Sequence, residues 1–152
     1  MDLPTRPPSS PEDAKRLAEL ALDWALDGGF GLDFSPASLG DIDRLLHGFH
    51  IVGGLQTQGQ LLADTDEQTA FAVAWANLAG CYLGEVIIRN HGGLWRRTEE
   101  TEWQKFAGMS RFPLVLQLPS GVTCSPLSKP FKVLEAGRAE SLSDFYQGVT
   151  SA

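Results

Sequence analysis

Residues 65–95 read TDEQTAFAVAWANLAGCYLGEVIIRNHGGLW, and the fold class turns on this stretch. Thr65-x-x-Gln68 matches a capping box, in which each end satisfies a free backbone amide at a helix start. From there apolar residues fall on nearly every side: Phe71, Val73, Trp75, Leu78, Tyr82, Leu83, Val86 and Ile87. A helix that is apolar all round belongs in the middle of its domain. Ala72, Ala76, Gly80 and Gly84 recur at four-residue steps, a flat line along which another element can approach the backbone. The two glycines cost about 1 kcal/mol each against alanine, so packing has to offset them. Asn77, Cys81, Glu85 and Arg89 form the single polar line. Glu85 precedes Arg89 by four residues, the favourable order for an ion pair across one turn. Gly92-Gly93 ends the pattern.

On the N-terminal side, residues 1–9 carry Pro4, Pro7 and Pro8 and read as a flexible arm. Residues 10–152 read as one domain, a size that suits the chain's length. Ser10-Pro11-Glu12-Asp13 is a strong helix start: a capping hydroxyl, a proline that loses no bond, and two acids at the positive end of the dipole. Leu17, Leu20, Ala21 and Trp24 then make one apolar stripe, and Gly28-Gly29 stops it. Ser35-Pro36 opens a second helix, with Leu39, Ile42, Leu45, Leu46 and Phe49 buried and Asp41, Asp43 and Arg44 wet. That helix should end near Gly48. The stretch 50–63 is long for a connection without structure of its own.

Beyond Gly93 the periodicity changes. Leu94 to Thr98 and Glu102 to Phe106 read as strands with Trp95 and Trp103 facing inward. Phe112 to Leu118 is an apolar run with Pro113 and Pro119 near its ends, positions where a strand lacks ladder bonds. Ser120-Gly121 suits a hairpin turn. Pro130 to Ala136 fits either a short helix or a strand, and Ser141 caps a closing helix that docks Leu142, Phe145 and Val149. Helices come first and a small, mainly antiparallel sheet second. That segregation predicts an α+β fold: N-terminal helices and a long buried central helix packed on a C-terminal sheet.

Twelve basic residues against nineteen acidic ones give a formal net charge of −7. Repulsion from phosphate argues against nucleic acid and anionic membranes as partners. The apolar run Phe71 to Ile88 contains Asn77 and Glu85, so a buried helix is expected, not a membrane span. Residues 1–9 lack the apolar centre of a secretory signal, and two cysteines make no disulfide framework or zinc site. A cytoplasmic protein with reduced thiols is the expectation.

Residues with reactive side chains form no recognisable catalytic set. His47-x-x-His50 has metal-like spacing but no third ligand at a recognisable distance. His91 suits a helix C-terminus, and Cys124 has no base tied to it. The glycine pairs match neither a dinucleotide fingerprint nor a P-loop. No metal and no cofactor is expected. Trp95, Trp103, Tyr82 and Phe106 gather at the helix-to-sheet junction beside Arg96, Arg97 and Glu99, residue types that anchor protein interfaces.

Tyr82-Leu83-Gly84-Glu85-Val86-Ile87, followed by Asn90 and Gly92-Gly93-x-Trp95, resembles a group of small bacterial domains of unknown function. Pro126 to Val133 and Ser141 to Tyr146 match that group's later segments. The resemblance implies an α+β fold and a bacterial source, and it implies no activity. Some similar small acidic proteins are immunity partners of toxins, an analogy of size and charge.

Two functional expectations follow. The first is a non-enzymatic module that binds a protein, or a second copy of itself, through Tyr82, Glu85, Arg89, Trp95, Arg97 and Trp103. The second is a small-ligand binder or enzyme with Glu85 as the buried carboxylate of a pocket walled by Tyr82, Trp95 and Trp103.

Overall fold

The computed structural model describes residues 3–49, 67–103 and 112–151. Among them are five α-helices and a three-stranded sheet: α1 (Pro11–Asp27), α2 (Leu39–Gly48), α3 (Glu67–His91), β1 (Leu94–Arg97), β2 (Leu114–Gln117), β3 (Thr123–Cys124), α4 (Lys129–Ala136) and α5 (Leu142–Thr150). The α+β architecture is the one the periodicity predicts.

Each helix start that serine chemistry marked is present. Ser10 Oγ accepts from the Asp13 amide and Ser141 Oγ from the Asp144 amide. Ser35 caps a 3-10 turn (Pro36–Ser38) that leads directly into α2. Residues 130–136 are helical, which settles the choice left open by their pattern.

The central helix α3 is buried continuously from Ala72 to Ile87. Its stretch Thr69–His91 is long and apolar enough to cross a bilayer, yet 89% of that apolar window lies inside the fold. The amphipathic helix α1 lies along one side of α3, and α2, α4 and α5 meet it on others. Thr65, the first half of the capping pair, the stretch 50–63 with His50, and Phe106 lie outside the described residues.

The small-residue line of α3 is where the C-terminal half comes closest. A Cβ on Gly80 would stand 2.9 Å from the Cα of Leu127, and one on Gly84 2.1 Å from the Trp95 ring. No side chain fits at either point, which is why glycine is tolerated inside a helix there.

Gly92 and Gly93, at φ 97 and 129, turn the chain from α3 into β1, and the Gly92 amide closes the helix on the Ile87 and Ile88 carbonyls. The sheet order is β1-β2-β3, antiparallel throughout, with Trp95 opposite Leu116 and Leu116 opposite Cys124. After β1 the chain makes a 3-10 turn (Thr98–Glu100), and Thr101 to Trp103 remain in turns. The strand expected from Glu102 is therefore absent at Glu102 and Trp103. The 3-10 turn holds them out of line, with the Thr101 amide bonded back to the Thr98 carbonyl. Residues 104–111 lie outside the described residues.

Asp43 also departs from expectation. It sits 6% exposed instead of on the wet face of α2, because its carboxylate is the far-side cap of α5. It accepts from the Leu142 amide at 2.6 Å, the Ser143 amide at 3.2 Å and the Ser143 hydroxyl at 2.9 Å. A buried carboxylate needs such donors, and the first turn of a helix supplies amides that have no partner of their own.

Candidate functional site

The last three turns of α3, the Gly92-Gly93 turn and β1 carry most of the residues singled out in the sequence. The structure divides them into two clusters.

The first cluster joins α3 to β1. Glu85 is 2% exposed, and its Oε2 accepts from the Trp95 indole N–H at 2.9 Å. Trp95 is itself buried, with its six-membered ring against the Cα of Gly84. So one turn of α3 supplies both the surface on which the indole lies and the acceptor for its N–H. Trp brings a large apolar area and one donor that needs a partner when buried.

The second cluster joins α3 to the chain between α1 and α2. The Tyr82 hydroxyl accepts from the Phe34 amide at 2.7 Å and lies 2.6 Å from Ser38 Oγ. Ser38 Oγ donates to the Ser35 carbonyl at 2.6 Å. That assigns the protons: the Tyr82 O–H donates to Ser38, which passes the chain on to a carbonyl. Burial raises the Tyr82 pKa above its ordinary value, against the hydrogen bonds that lower it. The phenol is a neutral structural hub.

Phe34 is the feature of this cluster that sequence reasoning missed. It has φ 62, the one positive value for a non-glycine among the described residues. A bulky L residue in that region costs about 1–2 kcal/mol. Its backbone is held from both sides, by Tyr82 and by Asn90 Nδ2, which donates to the Phe34 carbonyl at 2.8 Å. Its ring stacks on Tyr82 with centroids 4.9 Å apart, and the Arg89 guanidinium lies over it at 3.5 Å. Nothing in local sequence signals a positive φ at phenylalanine.

The expected Glu85–Arg89 ion pair is not formed. Glu85 is turned inward to Trp95, and Arg89 is exposed and stacked on Phe34. An ion pair along an exposed helix is worth only about 0.2–0.5 kcal/mol, less than a buried hydrogen bond or a cation–aromatic contact.

Arg97 is exposed on β1 with Glu99 and Glu100 at 3.8 and 3.9 Å. Arg96 donates to the Gln117 side chain at 2.8 Å. Trp103 is half-buried, and its amide donates to Thr101 Oγ1. Of the aromatics expected to gather at the junction, Tyr82, Trp95 and Trp103 make no ring contact with one another, and Phe106 lies outside the described residues. Phe34–Tyr82 and Phe112–Phe131 are separate pairs, while the largest group of linked rings among the described residues lies at the opposite end of α3, where Phe71 and Trp75 meet Trp24, Phe30 and Phe49. The approach of α1 to α3 brings these residues together, and no sequence spacing shows it.

Both described cysteines are free and buried. Burial, with the Asp13 and Glu85 carboxylates adding to it, pushes the Cys81 thiol far up; burial alone raises Cys124 to about 11. Neither supplies a thiolate at neutral pH, which a cysteine nucleophile requires. His47 Nε2 lies 3.0 Å from the Glu140 carbonyl, so that nitrogen carries a proton and is closed to a metal. Among the described residues no group of three metal-ligating side chains occurs. In comparisons with family models, curated proteins and solved structures, nothing matches this chain.

Proposed function

We propose that the chain is a small, non-enzymatic protein-binding module, and that its binding surface is the exposed rim where α3 meets β1. One observation carries the reading. The groups at this junction that could do chemistry, the Glu85 carboxylate and the Tyr82 hydroxyl, are buried and bonded internally. Arg89, Leu94 and Arg97 stay exposed, Leu94 at 52%. Exposed arginine beside apolar surface on a rigid frame is the composition of an interface anchor. The alternative, a pocket that uses Glu85 on a small ligand, would have to break the Glu85–Trp95 bond to free that oxygen.

A bacterial cytoplasm is the proposed setting, on the Tyr82-to-Trp95 resemblance and the two unpaired cysteines. The surplus of acid makes nucleic acid and anionic membranes poor partners. A second copy of the chain is the simplest partner to test, by light scattering on purified protein. Affinity capture from the source cell should retain one protein in stoichiometric amount. The double variant Leu94→Asp/Arg97→Glu should lose it while keeping its circular dichroism spectrum. A monomer that captures nothing the variant does not also capture would overturn the reading.

A further inference from the structure

Resting on that reading, we propose that Arg89, stacked on Phe34, is the anchor that takes a carboxylate side chain of the protein partner. Phe34 occupies a backbone conformation that glycine would adopt without strain. The chain nevertheless places phenylalanine there and secures it through Tyr82, Asn90 and the 3-10 turn behind it. The strained residue thus serves its ring, and Arg89 lies over that ring. Strained, over-determined residues concentrate at binding sites.

The guanidinium is held but not used up. Among the described residues the other arginines with fixed positions have acceptors: Arg16 has Asp13, Arg44 has Asp41, Arg96 has Gln117, and Arg97 has Glu99 and Glu100. Arg89 is the one arginine among the described residues that lies over an aromatic face, and its N–H fork has no acceptor there. That fork matches the two oxygens of a carboxylate. A guanidinium that already lies over a ring loses less freedom on binding than one without a contact.

The acids nearest in sequence to Arg89 and to Phe34 are directed to other donors. Glu85 is turned inward to Trp95, and the Asp33 carboxylate is engaged by the Ser35 amide. More distant acids are screened over about 8 Å at physiological salt.

The test is an NMR titration of full-length protein with N-acetyl-tetraglutamate amide at about 0.15 M ionic strength, read at the Arg89 Nε–Hε resonance and the Phe34 and Asn90 amides. A saturable shift at these three positions is expected. It should weaken about tenfold in Arg89→Lys, which keeps the charge but loses the fork, and vanish in Arg89→Gln. Phe34→Gly relieves the backbone and removes the platform, so it should fold and bind weakly; Phe34→Leu is the second variant should the glycine loosen the loop. The anchor is overturned if the peptide gives no saturable shift, if Arg89→Gln responds like the parent, or if inorganic phosphate binds Arg89 and the peptide does not. Capture can fail while this titration succeeds, which removes the protein partner and keeps the carboxylate site; the converse removes the anchor alone.

Discussion

The Trp95 indole N–H donates to Glu85 Oε2 at 2.9 Å, across a turn of two glycines that folds β1 back on the helix it follows. The bond closes a loop of ten residues and fixes how the sheet meets α3. Because acceptor and packing surface both come from α3, the two can be separated by mutation.

Glu85→Gln keeps an oxygen at the acceptor position and should cost less than about 1 kcal/mol. Glu85→Leu leaves the buried indole N–H without a partner and should cost about 1–3 kcal/mol. Urea unfolding of both variants, followed by tryptophan fluorescence, separates them. Equal losses would mean that the carboxylate's volume matters and its hydrogen bond does not.

Gly84→Ala raises intrinsic helix propensity by about 1 kcal/mol but sets a methyl against the Trp95 ring. Overpacking of a closed core costs about 1–3 kcal/mol, so a net loss of stability is expected. Combining it with Trp95→Leu should recover most of that loss. If Gly84→Ala alone stabilises the protein, the indole does not lie where the structure puts it.

Asp43 ties α2 to the start of α5 across roughly a hundred residues of chain, through three donors. Asp43→Ala should destabilise the fold by about 3 kcal/mol, since buried amides lose their acceptor. Hydrogen exchange at Leu142 and Ser143 should accelerate more than exchange in α1. Uniform acceleration across the protein would contradict a local clamp.

Glu140 is paired with Lys129, and that hydrogen bond holds its carboxyl below the ordinary value of 4.5. A folded-state pKa below the unfolded one means the unfolded chain takes up the proton first as pH falls. The pair's contribution is therefore complete above about pH 4.5 and is lost as pH drops through the lowered folded value. Chemical denaturation between pH 6 and 3 should show a shallower acid loss in Glu140→Gln than in the parent. Parallel curves would place the pair's energy near zero.

Much of the architecture was readable from the chain alone. Serine-proline helix starts, the all-round apolar pattern of α3, its small-residue line and the prolines around β2 each reflect energies set by a residue and its near neighbours. Such energies act in any fold, so their positions survive into this one. The partners of the polar residues were not readable. Glu85 and Arg89 are spaced for each other, yet one bonds Trp95 and the other covers Phe34; Asp43 looks solvated and caps a helix from the far end of the chain. Those choices depend on which surfaces α1, β1 and α5 bring against α3 and α2. A buried donor or acceptor left unmet costs more than a helical ion pair returns, so chain folding overrides local spacing. The long helix was legible as a core; what its polar residues do was decided by the elements that fold onto it.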